Sequence, residues 1–251
     1  MVLHAPVLPV RTPPEGKVRE FLQYNCDILG SGSLASELEI ILVLQDIMQT
    51  AGADPSIYRI GWSSRKFMAG ALAMCGVDEG MIQKVYSAID KRDKMQKDAW
   101  EEHILQVCGG DESVAGTIGR LVNVSSVSDE WLAGLMGQCQ AYQEVVAFSD
   151  LLNQVNAESA VFSPGVVRGL DYYTGIVFEL MDTGGENRRA LCGGGRYDNL
   201  TSLFTGKRIS GVGFGMGVLT FTLFLETYGS YRKEFRGNPR RTSSWLCSPR
   251  K

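Results

Sequence analysis

Arg168-Gly-Leu-Asp-Tyr-Tyr-Thr-Gly175, with Gly193-Gly-Gly-Arg-Tyr-Asp198 shortly behind it, is the stretch around which the rest of the chain is organised. Together these two runs hold two arginines, three tyrosines, two aspartates and five glycines. That density of planar polar side chains on a permissive backbone describes a small-molecule pocket. Between them, Ile176-Val-Phe-Glu-Leu-Met181 is β-branched and aromatic enough for a strand, Thr183-Gly-Gly-Glu-Asn187 reads as a turn, and Arg188 to Cys192 as the returning strand of a hairpin. Beyond them, Gly211-Val-Gly-Phe-Gly-Met-Gly217 places glycine at every second position. Side chains alternate across a sheet, so the four glycines share one face and Val212, Phe214 and Met216 the other. Each interior glycine costs about 0.5–1 kcal/mol relative to alanine, so something must occupy the bare face. A closely packed backbone and a flat ligand are the two candidates.

Working outward towards the N-terminus, Phe21-Leu-Gln-Tyr-Asn-Cys-Asp-Ile-Leu29 alternates Leu22, Tyr24, Cys26 and Ile28 with Gln23, Asn25 and Asp27, the pattern of a strand with one apolar and one polar face. A solvated polar face is the more economical account; a row of two amides and a carboxylate is equally suited to a polar ligand. Ser33 is placed to cap a helix that Glu37 favours by charge near its positive end, with Gly52 just past its C-terminus and Ile40, Ile41, Leu44, Ile47 and Met48 as its buried stripe. Ile57 to Trp62 is a short strand, and Ser64 opens a further helix. From Val77 to about Leu152 the pattern is helical throughout, with Lys91, Arg92, Lys94 and Lys97 interleaved with Asp90, Asp93 and Asp98 as on a solvated face. Strands return near Ala160. These shifts divide the chain into residues 1–76, a helical insertion at 77–152, a second mixed part at 153–229 and a basic tail at 230–251 whose Gly, Pro and Ser content suits disorder.

Composition narrows the function classes. A formal charge of −3 over 251 residues gives no global case for polyanion binding. The six cysteines include no C-x-x-C pair, the prolines of residues 1–20 break any leader-like apolar run, and reduced thiols in a cytoplasmic protein follow. Two histidines, far apart, argue against a zinc site, and no run is apolar and long enough for a membrane span. The triple glycine at 193 lacks the Lys-Ser/Thr of a P-loop, and the glycines at 211 lack Rossmann spacing. Arg168 offers a donor fork for phosphate or carboxylate, although an ion pair with Asp171 or Glu179 would also account for it.

Arg168 to Gly175 resembles the first histidine-specific motif of histidyl-tRNA synthetases, and Gly194-Gly-Arg-Tyr-Asp198 the second. Arg19 to Asp27 is similar to the later part of class II motif two, Gly211 to Gly217 to the start of motif three, and Val85 to Lys97 to the entry of that family's helical insertion. The resemblance implies an α+β fold, a class II antiparallel sheet flanked by helices with a helical insertion. It further implies activation of histidine with ATP and Mg2+ and transfer to tRNA(His). On the family's pattern Gln23 and Asp27 hold the α-amino group, Tyr172, Tyr173 and Tyr197 surround the imidazole, and Arg168 grips the carboxylate and α-phosphate as the catalytic cation. ATP falls to Arg11, Arg19, Gly213 and Gly215.

The sequence also departs from the pattern. Where the family has Glu-Arg after the motif-three glycines, Leu219-Thr220 stands here. Motif one, through which the intact family forms homodimers, would precede residue 1, and the basic tail stands where the anticodon-binding domain would begin. Two readings therefore remain open, a histidine–tRNA ligase and a non-catalytic histidine-binding paralogue such as an ATP phosphoribosyltransferase regulatory subunit. An RNA adaptor, resting on local lysines and arginines alone, is a third.

Overall fold

The computed structural model describes residues 21–167, 172–185 and 190–229, together with the backbone of Ala5–Val7. Arg11, Arg19, Arg168, residues 186–189 and the tail at 230–251 lie outside the described residues. Among those described, seven strands form one sheet in the order β1-β2-β7-β6-β5-β3-β4. These are β1 (Ala5–Val7), β2 (Phe21–Leu29), β3 (Tyr58–Ser64), β4 (Ala160–Phe162), β5 (Ile176–Asp182), β6 (Cys192–Arg196) and β7 (Gly211–Gly217). Every pairing is antiparallel except β3 with β4, which is parallel. The fold is the α+β, helix-flanked and mostly antiparallel architecture expected.

Helix α1 (Leu34–Thr50) begins where Ser33 accepts a hydrogen bond from the Ala35 amide at 3.2 Å, and ends just before Gly52, whose φ of +81° suits glycine. Its Ile40, Ile41, Leu44 and Met48 are fully buried against the apolar face of the sheet. At about 1.5–3 kcal/mol for each such side chain removed from water, this stripe is a principal tie between helix and sheet. Ser64 caps α2 (Arg65–Met74) by accepting from the Phe67 amide. The expected strand from Ile57 starts one residue later. Asp54 accepts from the Ser56 amide at 2.8 Å and folds Pro55–Ile57 into a turn of 3-10 helix first.

The helical stretch contains α3 (Ile82–Asp90), α4 (Lys97–Val107), α5 (Glu112–Leu121), α6 (Glu130–Met136) and α7 (Gln140–Gln154). Its core residues, among them Ile89, Trp100, Ile118, Leu132 and Phe148, join the apolar cluster of Trp62, Phe67 and Phe178 without a break. Trp62 meets Phe148 edge-on at 4.9 Å. Most of the mixed charge run is solvated as expected, Lys94 pairing with Asp90 in the open. Arg92 differs: it donates to the Val122 carbonyl and to Asn123 Oδ1, both at 2.7 Å, and so ties the end of α3 to the end of α5. After β6 the short α8 (Ser202–Thr205) precedes β7, and α9 (Val218–Thr227) follows directly from it. No helix among the described residues is long and apolar enough to cross a membrane.

The returning strand of the hairpin is shifted relative to the expectation of Arg188 to Cys192. The paired segment is Cys192–Arg196, and it carries the triple glycine into the middle of the sheet. Paired on both sides, this segment forms ladder rather than a phosphate-cradling loop. Gly194 leaves room for the Gly213 carbonyl, which a Cβ there would overlap, and for the Phe178 ring, which it would meet at 2.6 Å.

Candidate functional site

The bare face of β7 is filled by side chains from its neighbours. In the register of β2 with β7, Asn25 lies opposite Gly215 and Asp27 opposite Gly213. A Cβ at Gly213 would overlap Asp27 Oδ1, one at Gly215 would overlap Gln23 Nε2, and one at Gly211 would overlap the Tyr197 ring. Close packing, one of the two explanations the glycines invited, is present: side chains lie on them, and the Cys26 carbonyl also approaches Gly213. The glycines make room for a carboxylate, an amide and a phenol. The alternating polar residues of β2 are thus held on a defined strip of the sheet, partly withdrawn from solvent at Gln23 and Asn25 and open at Asp27.

Tyr197, one residue past β6, donates its phenol hydrogen to Asp27 Oδ1. Tyr172 packs against it edge-on at 6.3 Å and against Tyr173 at 4.6 Å. The three phenol rings therefore form one cluster beside the Asp27 carboxylate. Burial, the hydrogen bond to Asp27 and that carboxylate's charge together push the Tyr197 phenol well above the ordinary tyrosine range, so it stays a neutral donor at physiological pH. With one carboxylate oxygen of Asp27 receiving the phenol, the other can accept from a cation.

The two glycine-bearing motifs interlock beneath this cluster. Thr174 donates its amide to the Arg196 carbonyl at 2.8 Å, and its hydroxyl accepts from the Asp198 amide at 3.0 Å. The Arg196 side chain crosses to the helix side of the sheet, where it is 4% exposed and forms a bidentate pair with Glu37, itself 1% exposed. It also donates to the carbonyls of Ser31 at 2.8 Å and Ser33 at 3.3 Å. The hydrogen bonds it donates to Glu37 hold its guanidinium charged even though burial works against that. Sequence reasoning placed Glu37 as a favourable charge at a helix start and missed this pair. The clue was an acidic side chain on the first turn that the apolar stripe of α1 leaves inward-facing.

The opposite end of β7 is sparse. α9 starts at Val218; Thr220 donates its hydroxyl to the Gly217 carbonyl at 2.9 Å, and Leu219 is about half exposed at 48%. Among the described residues that first turn presents no cation. The remaining expected ligands of a nucleotide, Arg11 and Arg19, and the catalytic candidate Arg168 lie outside the described residues. Five free cysteines are spread over the described residues, and burial lifts the Cys75 thiol to about 11, which disfavours its thiolate. No group of three or more His, Cys, Asp or Glu gathers there as a metal site.

Residues 3–220 match the family model described as histidyl-tRNA synthetase. The chain is 32% identical over 228 residues to the histidine–tRNA ligase of Leptospira biflexa serovar Patoc, covering 86% of this chain and 49% of that protein. It is 34% identical over 220 residues to the histidine–tRNA ligase of Thermoplasma volcanium, covering 86% and 50%. The chain thus spans about half the length of these curated relatives. Among solved structures, a histidyl-tRNA synthetase from Nostoc shares the fold with a TM-score of 0.77 at 21% identity, covering 92% of this chain and 55% of that one. A Bacillus halodurans protein described as an ATP phosphoribosyltransferase regulatory subunit/histidyl-tRNA synthetase superposes with a TM-score of 0.71, also at 21% identity, covering 86% and 55%.

Proposed function

The chain belongs to the histidyl-tRNA synthetase family, and on that premise we propose that its site binds free histidine and, with ATP, activates it for transfer to tRNA(His). The observation that carries the reading is the Tyr197–Asp27 hydrogen bond, set among three phenol rings on a glycine strip. A zwitterionic amino acid with a flat polar ring suits it. Asp27 and Gln23 receive the α-ammonium, and Tyr172, Tyr173 and Tyr197 enclose the imidazole. Holding the substrate in one pose removes much of the entropic part of the barrier.

In the activation step the histidine carboxylate attacks the α-phosphorus of ATP, and pyrophosphate leaves. Arg168 is the cation proposed to neutralise charge on the carboxylate and α-phosphate, the kind of preorganised electrostatics that carries most phosphoryl chemistry. Arg11 and Arg19 are proposed for the remaining phosphates, and Mg2+ enters as the companion of ATP. The described residues do not by themselves fit a triphosphate, since Leu219 and Thr220 are uncharged and the Thr220 hydroxyl is already donated to the backbone. Gly213 and Gly215 serve Asp27 and Gln23 in this reading; adenine would lie beyond those side chains.

That sparse end favours a second reading, histidine binding without turnover, as in a regulatory paralogue. Histidine-dependent ATP–pyrophosphate exchange separates the two. Exchange that depends on histidine supports the ligase; saturable histidine binding with no exchange overturns it in favour of the paralogue.

A further inference from the structure

The segments that supply the pocket meet at one buried residue. Arg196 immediately precedes Tyr197. Its carbonyl accepts from Thr174, the neighbour of Tyr173, and its stem packs on Gly175, where a Cβ would lie 3.3 Å from Arg196 Cβ. Its guanidinium takes the carbonyls of Ser31 and Ser33, in the turn that follows directly from the strand carrying Asp27. Glu37 receives the fork from the first turn of α1. Arg196 pairs in register with Val212 rather than with a glycine, so its side chain lies on the face of the sheet away from the pocket.

We propose that Arg196, held by Glu37, is a positioning residue for the histidine site: it fixes the separation of Tyr197 from Asp27 and of both from Tyr172 and Tyr173. The physical reason is geometric. Tyr197 and Asp27 come from strands joined to different turns, and a hydrogen bond between two side chains at the edge of a pocket keeps its length only if both backbones are fixed. A planar guanidinium with its donors distributed over Glu37, Ser31, Ser33 and Asp198 joins the turn after β2 to the end of β6 in one rigid plane. An ammonium at the same place is a point charge that cannot hold that plane. Removing either partner outright would leave a buried charge unpaired, which is strongly destabilising, so conservative variants are the informative ones.

The proposal rests on the histidine-binding reading, and its test uses two readouts so that the two can fail separately. In Arg196→Lys and, should that variant not fold, Glu37→Gln, histidine affinity is measured by calorimetry. The ionisation of Tyr197 is followed by NMR of tyrosine labelled at the phenol carbon, with Tyr197→Phe to assign the resonance. In the parent protein the Tyr197 signal is expected to stay in its neutral form through the ordinary tyrosine range near pH 10. In the variants it is expected to ionise closer to that range, and histidine affinity is expected to fall roughly tenfold, the scale of a misplaced hydrogen bond to a charged group. A variant that melts earlier yet keeps the parent's Tyr197 behaviour gives Arg196 a merely structural role and overturns the proposal. Absence of histidine binding by the parent protein overturns the histidine reading instead, and the Tyr197 signal still decides the positioning role.

Discussion

The two ends of β7 are built on different principles. At Gly211, Gly213 and Gly215 the strand gives up its own side chains so that Tyr197, Asp27 and Gln23 can lie across it, and those groups are braced from below by a buried arginine–glutamate pair. At Gly217 the strand runs straight into α9, whose first turn offers an alkyl chain and a hydroxyl that is already bonded to the backbone. Recognition of a small zwitterion needs the first arrangement; gripping a polyphosphate needs cations that the second does not supply. Among the described residues, one strand therefore carries a cluster of polar side chains at one end and an uncharged turn at the other, and on the proposed reading amino-acid binding and nucleotide binding should respond separately to substitution.

The largest effect is expected at Asp27. In Asp27→Ala the ammonium loses its counter-charge and Tyr197 loses its acceptor, so histidine affinity should fall about a hundredfold, with the melting temperature little changed because Asp27 is exposed. Calorimetry and thermal unfolding on the same preparation check both parts. Gly213→Ala should come next. Its Cβ would collide with the Asp27 carboxylate and with the Cys26 carbonyl, so both stability and histidine affinity should drop, affinity by about tenfold. Overpacking of this kind costs about 1–3 kcal/mol, which thermal and chemical denaturation would register. At the opposite end of the strand, restoring the family's pair with Leu219→Glu and Thr220→Arg should strengthen ATP binding by roughly tenfold while leaving histidine affinity unchanged. Coupled changes in both would break the division between the two halves.

A smaller effect concerns alkaline pH. The Tyr197 phenol is raised in the folded state, so the folded protein keeps its proton after the unfolded chain has lost it. Its contribution to stability is complete below the ordinary tyrosine value near 10 and is lost as pH rises from there towards the folded value. Tyr197→Phe should therefore show a shallower fall in melting temperature on the alkaline side, by the equivalent of one proton, and the same pH slope as the parent near neutrality. Smallest of all, Lys94→Ala breaks only a solvated pair with Asp90, and its stability in chemical denaturation should stay within about 0.5 kcal/mol of the parent.

Much of this was legible in the amino-acid sequence because it depends on period. The alternation of Leu22, Tyr24, Cys26 and Ile28 with Gln23, Asn25 and Asp27 sets which residues share a face, and the spacing of Gly211 to Gly217 says that face must be filled. The filling itself was not legible. Which side chain lies over which glycine follows from strand register, and register depends on pairing partners far away in the chain. The pairing of Arg196 with Glu37, separated by 159 residues, was hidden for the same reason, each residue having an adequate local explanation of its own. The position of β6 was misread because three consecutive glycines carry no strand propensity, yet here they are the strand, admitted by the Phe178 ring on one side of the sheet. The parallel seat of β4 beside β3 likewise has no local mark.

The central proposal, that the chain binds histidine against Asp27, is tested most directly by calorimetric titration of L-histidine into the chain in the absence of nucleotide, with Asp27→Ala as the paired control. The account predicts saturable binding of one histidine per chain that is lost in the variant; a folded chain that takes up no histidine, or one that binds it equally well without the Asp27 carboxylate, would contradict it.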